Sequence, residues 1–453
     1  MSELAEVHLW GELVGAVAQT EPDAFARFEY SPRFLKLGLE VAPLMMPLSA
    51  TVYRFPALGL DSFKRLPGLL ADSLPDRFGN TLIDAWLATQ GRAPGSFGPI
   101  ERLRYIGSRG MGALEFRPVK GPRARKSQKL RIEVLVELAS QVLQHRHDLA
   151  TSFAPGSVHA GLAELLRVGT SAGGARPKVL IAWNLDTQEV RSGQVTAPAG
   201  FSYWLLKFDG VRGAGDHELS DPKGFTRVEY AYYLMAQACG IEMTECRLLE
   251  EGPRKHFMTK RFDRTDAGSK LHAQTLGALA HLDYNTPQAN TYEQAFQVLR
   301  QLGGAALARE ELYRRCAFNL IARNQDDHVK NISFLMDARG SWSLAPAYDL
   351  TYGYDPANRW MAQHQMGVNG KFDSFAHEDL MALADTASLS KSIAAEIVEQ
   401  VARAVSRWEE FAAQAGAPEA YVQQIKTNQR LYLTRGAQLA SPRDGTRCSR
   451  PTS

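Results

Sequence analysis

The sequence lacks the features of an exported or membrane-spanning protein. Its first seventeen residues contain Glu3, Glu6 and Glu12 and no lysine or arginine, whereas a signal peptide begins with basic residues and continues with an apolar run. The most apolar early stretch, residues 41–48, is short and is interrupted by two prolines. No stretch is apolar over the length that crosses a bilayer. We therefore expect a cytoplasmic protein with no membrane partner.

Cysteine is scarce and the net charge is low, and both exclude particular classes of protein. The four cysteines, Cys239, Cys246, Cys316 and Cys448, form no C-x-x-C pair and show no Cys/His spacing typical of a zinc site. We interpret them as reduced thiols. A net charge of +3 over 453 residues is too small to predict a polyanion partner by itself, although it permits a local basic patch.

The chain is longer than a single hydrophobic core usually serves, so we expect two or three compact units. Residues 120–131 contain six basic residues and no acidic one, together with Gly121 and Pro122, which is typical of a solvated connector. A nucleic-acid contact is the alternative for this run. The predicted units are residues 1–119, a basic linker at 120–132, residues 133–265, residues 266–440 and a basic tail at 441–453.

The middle of the chain shows a regular order of predicted elements after a glycine-rich stretch at residues 169–178. Alternation and apolar runs predict strands, and helical spacing predicts one amphipathic helix between them. The predicted strands are residues 178–183, 201–208, 246–250 and 256–262, and the predicted helix is residues 227–239, with Gly240 as its C-terminal stop. From about residue 290 onward we expect mostly helices.

Residues 324–349 contain a spacing that is typical of a kinase catalytic loop. Asp326 is followed five residues later by Asn331, and Asp349 comes after a predicted short hairpin. Phosphoryl transfer from ATP needs a carboxylate that receives the hydroxyl proton and oxygen ligands for Mg²⁺, and these residues supply both. Asp327 is a rival for the base because it is adjacent. Such a spacing arises by chance about once in a chain of this length, so the order of the preceding elements is needed to favour a kinase.

Lys207, at the end of the second predicted strand, is the predicted phosphate-binding lysine. A strand-end lysine that extends to solvent is the alternative. Glu229 on the following helix is a candidate ion-pair partner. The glycine-rich stretch lacks the Gly-Lys-Ser/Thr ending of a Walker A loop, but its backbone N–H groups could still approach phosphate. A plain glycine turn is the alternative there.

Four segments carry a resemblance that covers nearly the whole chain. Residues 73–80 read Ser-Leu-Pro-Asp-Arg-Phe-Gly-Asn. Residues 260–264 read Lys-Arg-Phe-Asp-Arg, residues 326–331 read Asp-Asp-His-Val-Lys-Asn, and residues 348–349 read Tyr-Asp. Together these segments resemble the motifs of the HipA family of serine/threonine kinases, the toxins of bacterial toxin–antitoxin pairs. The resemblance implies an α+β fold: a small N-terminal α/β subdomain attached to a two-lobed protein kinase, related to lipid kinases, with a mostly helical C-terminal lobe.

The resemblance also implies a role for each matching residue. Asp326 is the catalytic base, Asn331 and Asp349 bind Mg²⁺, and Lys207 binds the phosphates of ATP. A merely structural role is the alternative for His328. The other implied nucleotide contacts are Gly173, Gly174, Ala175, Arg176, Pro177 and Lys178 in the glycine-rich loop, Lys260, Arg261 and Phe262 in the adenine-side hinge, and His328, Lys330, Asn331, Tyr348 and Asp349 around the nucleotide.

A serine of the glycine-rich loop is autophosphorylated in relatives, which expels the loop and inactivates the kinase. Ser171 occupies the matching place, and Thr170 is a competing acceptor; an ordinary loop serine is the alternative. A phosphate on this loop would repel the phosphates of ATP. The family's loop usually reads Gly-Ala-Gln-x-Lys, whereas residues 174–178 read Gly-Ala-Arg-Pro-Lys. Because Pro177 removes a backbone donor, we expect this loop to bind phosphate differently.

Three functions are compatible with these residues. The first is a kinase toxin that phosphorylates a translation-related protein, in relatives an aminoacyl-tRNA synthetase. Such a toxin also binds a HipB-like helix-turn-helix antitoxin. It contacts operator DNA, and so the nucleoid, mainly through that antitoxin. The second is chiefly a co-repressor at operator DNA, which the basic linker and Arg443, Arg447 and Arg450 favour. The third is a small-molecule phosphotransferase, against which the N-terminal motif argues by resemblance only.

Overall fold

A computed structural model of the chain describes residues 3–21, 23–121, 129–145, 149, 165–166, 168–169, 176–211, 223–265 and 267–434. Within these residues an N-terminal sheet, a five-stranded sheet and a helical region follow one another along the chain. Several predicted features lie outside the described residues: Thr170, Ser171, Gly173, Gly174 and Ala175 of the glycine-rich loop, residues 122–128 of the linker, the tail at 441–453 and Cys448.

The N-terminal sheet has four antiparallel strands, β1 (Glu3–Leu9), β2 (Glu12–Gln19), β3 (Arg27–Tyr30) and β4 (Leu114–Arg117), in the order β3-β2-β1-β4. In β1 the buried Ala5 and Val7 alternate with exposed residues, so one face of the sheet packs on a core. Trp10 and Gly11 join β1 to β2 with φ angles of 50° and 88°. Two consecutive positive φ angles are what a two-residue hairpin requires.

Five helices lie between β3 and β4: α1 (Pro32–Leu35), α2 (Leu60–Phe63), α3 (Gly68–Ala71), α4 (Arg77–Thr89) and α5 (Pro99–Ile106). The motif at residues 73–80 contains the start of α4. Asp76 caps this helix, because one of its carboxylate oxygens accepts a hydrogen bond from the N–H of Gly79 at 2.6 Å. The motif therefore leads directly into a capped helix.

The five-stranded sheet is antiparallel throughout and has the order β6-β5-β7-β9-β8. Its elements are α6 (Ile132–Gln144), β5 (Lys178–Trp183), β6 (Val190–Ser192), β7 (Ser202–Lys207), α7 (Phe225–Ala238), β8 (Cys246–Glu251) and β9 (Arg254–Lys260). The predicted strands, helix and hairpin are confirmed to within two residues at most ends. Gly240 follows α7 with a φ of 76°, as a C-terminal stop requires.

One hydrophobic core joins this sheet to the N-terminal part of the chain. Phe78 and Leu82 on α4 pack in the same buried cluster as Leu135 on α6, Val179 on β5 and Leu206 on β7. Helix α4, which begins within the motif, therefore shares a core with the sheet that carries Lys207. The predicted domain limits stay a prediction.

The rest of the chain is mainly helical, as the sequence predicts. Its helices are α8 (Leu276–Ala280), α9 (Tyr292–Gln301), α10 (Ala306–Ile321), α11 (His377–Thr386), α12 (Lys391–Val405), α13 (Trp408–Ala415) and α14 (Glu419–Asn428). The strands β10 (His272–Thr275), β12 (Ser333–Met336) and β13 (Trp342–Leu344) form one antiparallel sheet, and β11 (Asn290–Thr291) pairs with β14 (Met366–Gly367). The core helix α10 ends directly before the loop at residues 324–331.

The three cysteines that the structure describes are free thiols, in agreement with the expectation of reduced cysteines. Cys239, Cys246 and Cys316 are free and buried. Burial raises the pKa of the Cys239 and Cys246 thiols to about 12, so both remain protonated near neutral pH. No helix in the described ranges has both the length and the apolarity needed to span a membrane.

A buried carboxylate fastens the N-terminal sheet to the end of β9. Asp263 accepts hydrogen bonds from the Arg261 guanidinium at 2.8 and 2.6 Å, from Arg264 at 2.7 Å and from the N–H of Gly112 at 2.7 Å. Both guanidinium groups also donate to the carbonyl of Gly110. Burial raises the pKa of Asp263, but Arg261 and Arg264 outweigh it and lower this pKa to about 2.

We predict that Asp263→Asn lowers the free energy of unfolding by about 3 kcal/mol, because two buried guanidinium groups lose their counter-ion. Since the folded pKa is depressed, the carboxylate contributes fully above about pH 4, and its contribution of about 2.5 kcal/mol disappears as the pH falls through about 2. Urea unfolding followed by tryptophan fluorescence measures both effects. The control is Asp23→Asn, whose side chain is 91% exposed; equal stability of the two variants would contradict this account.

Candidate active site

The loop at residues 324–331 presents two adjacent carboxylates in opposite environments. The side chain of Asp326 is 52% exposed, whereas Asp327 is 2% exposed. The loop closes on itself, because the side-chain amide of Asn331 donates to the carbonyl of Asp326 at 2.8 Å and its backbone N–H donates to the carbonyl of His328 at 2.8 Å. Only Asp326 of the two carboxylates is therefore accessible to a substrate.

Lys207 lies at the centre of a buried ion-pair cluster. Its ammonium group donates to the Glu229 carboxylate on α7 at 2.5 Å and also to the carboxylate of Asp349. Burial lowers the pKa of Lys207, but Asp349 and Glu229 outweigh it, so the pKa lies well above its ordinary value. The same contact holds the pKa of Asp349 well below its ordinary value, although burial alone would raise it. The lysine and Asp349 are both charged near neutral pH.

Asp349 adopts a backbone conformation that is uncommon for a residue with a side chain. Its φ is 58°, in the left-handed region. The hairpin of β12 and β13 precedes it, and the preceding Tyr348 is fixed through its hydroxyl, which donates to the carbonyl of Lys330 at 2.6 Å and contacts the hydroxyl of Ser333 at 2.5 Å. Strained conformations of this kind cluster at functional sites. These contacts orient the Asp349 carboxylate toward Lys207.

Lys178 stands beside Lys207 because the two residues are register partners on β5 and β7. Its ammonium group lies 3.6 Å from the second carboxylate oxygen of Asp76, and both side chains are 2% exposed. Burial raises the pKa of Asp76 to about 6 despite the nearby ammonium group. Burial likewise lowers the pKa of Lys178, and Asp76 opposes this shift. The motif at residues 73–80 thus reaches the lysine that follows the glycine-rich loop.

A single cleft brings most of the predicted nucleotide contacts together. The residues that line it include Lys178, Lys207, Lys260, Arg261, Phe262, His328, Lys330, Asn331, Tyr348 and Asp349. Asp72 and Ser73 of the N-terminal part also line it. Arg176 is not among these lining residues, and its guanidinium lies 4.1 Å from the ring centroid of Phe225.

The hinge segment and the loop contribute to this cleft in different ways. The Arg261 side chain is engaged with Asp263, while the ring of Phe262 lies 5.5 Å from that of Tyr348. The ammonium group of Lys330 lies 5.0 Å from the ring centroid of Tyr284. The imidazole of His328 is 3.9 Å from the Asp326 carboxylate, and its buried Nδ1 has no hydrogen-bond partner within the described part of the chain.

Gln274 on β10 is a candidate that the sequence did not indicate. It lines the cleft and is 1% exposed, yet neither its amide nitrogen nor its amide oxygen has a hydrogen-bond partner among the residues that the structure describes. A buried amide without partners costs stability unless a ligand completes its hydrogen bonds. A single glutamine in a short strand carries no sequence pattern that would have identified it.

The donor atoms in the cleft suit a hard cation. Asn331 and Asp349, on different segments, both line the cleft and offer amide and carboxylate oxygens. Mg²⁺ is usually held by one or two carboxylates together with waters and substrate phosphates. No group of three or more His, Cys, Asp or Glu side chains with metal-binding geometry occurs among the residues the structure describes. The oxygens of Asn331 and Asp349 are of the kind that Mg²⁺ prefers.

Two family models match separate parts of the chain. A family model described as the HipA-like C-terminal domain matches residues 170–408, and one described as the HipA N-terminal domain matches residues 5–117. The chain is 22% identical over 423 residues to the serine/threonine-protein kinase toxin HipA of Shewanella oneidensis, which covers 88% of this chain and 87% of that protein. It is 28% identical over 203 residues to the protein Y4mE of Sinorhizobium fredii, which covers 41% of this chain and 47% of that relative's length.

A solved structure also matches almost the whole chain. It is the complex of Shewanella oneidensis HipA, HipB and operator DNA, with a TM-score of 0.62 and 18% sequence identity, and the match covers 93% of this chain and 95% of that chain. This confirms the expected α+β, two-lobed fold. Since the first family model alone spans more than half of the sequence, the chain belongs to the HipA family.

Proposed function

We propose that this chain is a serine/threonine protein kinase that transfers the γ-phosphate of ATP to a protein. The observation that carries the proposal is the cluster in which Lys207 contacts both Glu229 and Asp349. Protein kinases hold the phosphates of ATP with a strand lysine that is paired with a helix glutamate and lies near a metal-binding aspartate. Lys207 is 5% exposed, so it does not extend to solvent as a simple strand-end lysine would.

Asp326 is the proposed catalytic base. The hydroxyl oxygen of a serine or threonine forms a bond to the γ-phosphorus, the bond to the β,γ-bridging oxygen breaks, and ADP leaves with that electron pair. The hydroxyl proton passes to the Asp326 carboxylate. The exposure of Asp326 supports this role, whereas Asp327 is buried and accepts three hydrogen bonds inside the protein.

The remaining cleft residues are assigned to the nucleotide. Lys178 and Lys207 contact its phosphates, and the backbone of residues 260–262 contacts adenine. Asn331 and Asp349 would hold Mg²⁺, which when bound neutralises negative charge on the transferring phosphates. Gln274 supplies one donor and one acceptor to the nucleotide. The glycine-rich loop residues Gly173, Gly174 and Ala175 are further proposed contacts that lie outside the described residues.

The biological role that we propose is that of a toxin in a toxin–antitoxin pair. The Shewanella oneidensis relative is named a kinase toxin, and the solved complex contains HipB and operator DNA. By extension, this chain would bind a HipB-like antitoxin and, through it, operator DNA, and would phosphorylate a translation-related protein such as an aminoacyl-tRNA synthetase. Autophosphorylation at Ser171, or at Thr170, is part of the same proposal, as is residence in the cytoplasm and at the nucleoid.

A second candidate function is that of a co-repressor, and the operator DNA in the solved complex favours it. Gel-shift assays with operator DNA, the antitoxin and increasing amounts of this chain separate the two roles. An Asp326→Asn variant that still tightens operator binding would show that repression does not need kinase activity. Unchanged operator affinity upon addition of the chain would reject the co-repressor role.

We predict that Asp326→Asn lowers the rate of phosphoryl transfer at least 100-fold, because an amide cannot receive the hydroxyl proton. The measurement is the transfer of labelled phosphate from ATP to the proteins of a bacterial lysate. Asp61→Asn, at a side chain that is 89% exposed, is the matched control and keeps the normal rate. Full activity in the Asp326 variant would exclude Asp326 as the base.

We predict that Gln274→Leu weakens ATP binding about 10-fold while thermal stability stays the same or rises, since its unpartnered amide contributes only to a bound ligand. Calorimetric titration with ATP and a thermal unfolding scan give the two values. The control is Gln19→Leu, another buried glutamine, whose amide donates to the carbonyl of Ala24 at 2.6 Å. This control loses stability but keeps its ATP affinity. Normal ATP affinity in the Gln274 variant would remove this residue from the site.

A further inference from the structure

Asp327, which the proposed chemistry leaves unused, is the end of a buried hydrogen-bond chain. Its carboxylate accepts from the hydroxyl of Tyr292 at 2.9 Å, from Nδ1 of His364 at 2.9 Å and from the backbone N–H of Gln365 at 2.9 Å. Asp327, Tyr292 and His364 are each at most 2% exposed. Three donors from two different segments therefore fix the position of the residue that follows Asp326.

The chain continues through His364 to a distant arginine. Nε2 of His364 lies 2.8 Å from Nη1 of Arg430, a group that only donates hydrogen bonds. Nε2 is therefore the acceptor and Nδ1 carries the proton that is donated to Asp327, so the imidazole is neutral and has one tautomer. Burial lowers the pKa of His364, which agrees with this state.

Arg430 follows α14 and is 1% exposed. Its backbone N–H donates to the carbonyl of Ile321 at 2.8 Å, at the end of α10, and its guanidinium also contacts the carboxylate of Asp373. Arg430 thus contacts the end of α10 through its backbone N–H and the segment after Asp349 through its guanidinium. Substitution of its side chain would remove the contacts with His364 and Asp373, whereas the backbone contact with Ile321 would remain.

The segment after Asp349 also touches the loop directly. Gly353 packs so closely that an added Cβ would lie 3.0 Å from the backbone nitrogen of Asp326 and 3.1 Å from that of Gln325. Its N–H donates to the carbonyl of Arg323 at 3.0 Å. The backbone on both sides of the Asp326 side chain is thus held by buried contacts, although the side chain itself is exposed.

We propose that Arg430, acting through His364 and Asp327, is a positioning residue for the catalytic loop, so that the segment after α14 sets the orientation of Asp326. This inference rests on the proposed function, because it needs Asp326 to be the base. None of Arg430, His364 and Asp327 is among the residues that line the nucleotide cleft. Loss of the chain should therefore misplace the base without changing how ATP binds.

The test is the Arg430→Met variant, which keeps an apolar stem of similar length and removes the guanidinium. We expect the maximal rate of labelled phosphate transfer to lysate proteins to fall about 10- to 100-fold, while the KM and the calorimetric Kd for ATP stay within about 2-fold of normal. Arg407→Met, at an exposed arginine that pairs with Glu410, is the control and keeps the normal rate. An unchanged maximal rate in Arg430→Met, or an ATP affinity that falls as much as the rate, would overturn the proposal.

A second variant covers the case in which Arg430→Met does not fold. His364→Phe keeps an aromatic ring and removes the link between Arg430 and Asp327. A maximal rate lowered by about 3- to 10-fold at unchanged ATP affinity supports the proposal, and an unchanged rate overturns it. The two proposals fail separately: full activity of Asp326→Asn rejects the kinase mechanism, whereas an inactive Asp326→Asn together with fully active Arg430 and His364 variants rejects only this inference.

Discussion

The ion pair between the buried Lys207 and the partly exposed Asp349 is the contact on which the rest of the site depends. It joins the end of β7 to the segment that follows the hairpin of β12 and β13, and both residues line the cleft. Two charges in the interior are costly unless they are paired. Glu229 adds a second counter-ion and fixes the lysine from α7. The same charges that hold the two parts together are those that phosphates and a metal ion require.

The N-terminal part takes part in this arrangement more directly than its position in the sequence indicates. Helix α4 shares a core with the sheet that carries Lys207, and Asp76 at its start lies against Lys178. Just after β9, the Asp263 carboxylate accepts a hydrogen bond from the N–H of Gly112, and its partner Arg261 donates one to the carbonyl of Gly110. The N-terminal part is therefore attached in three ways: by a shared apolar core, by one ion pair across the junction and by hydrogen bonds from its backbone to the buried Asp263 cluster.

The local elements of the kinase core could be predicted from the sequence, because alternation, helical spacing and glycine stops are local signals. The strand ending at Lys207, helix α7 and the hairpin of β12 and β13 all follow from such signals. Contacts between distant residues could not be predicted in this way. Asp76 meets Lys178 from about a hundred residues away, and Gln274 enters the cleft because of how β10 packs. The spacing to Asn331 favours Asp326 over the adjacent Asp327 in the sequence, but the burial that separates the two carboxylates is visible only in the structure.

Asp349, which contacts Lys207 and is assigned to Mg²⁺ and ATP, is the residue on which the proposed chemistry most depends. The most direct measurement is Mg²⁺-dependent transfer of labelled phosphate from ATP by Asp349→Asn, beside the unmodified protein, with circular dichroism to confirm that both are folded. We expect a folded variant whose transfer rate is at least about 100-fold lower, since the charge that balances the metal and the lysine is gone. Transfer at the normal rate by the folded variant would contradict it.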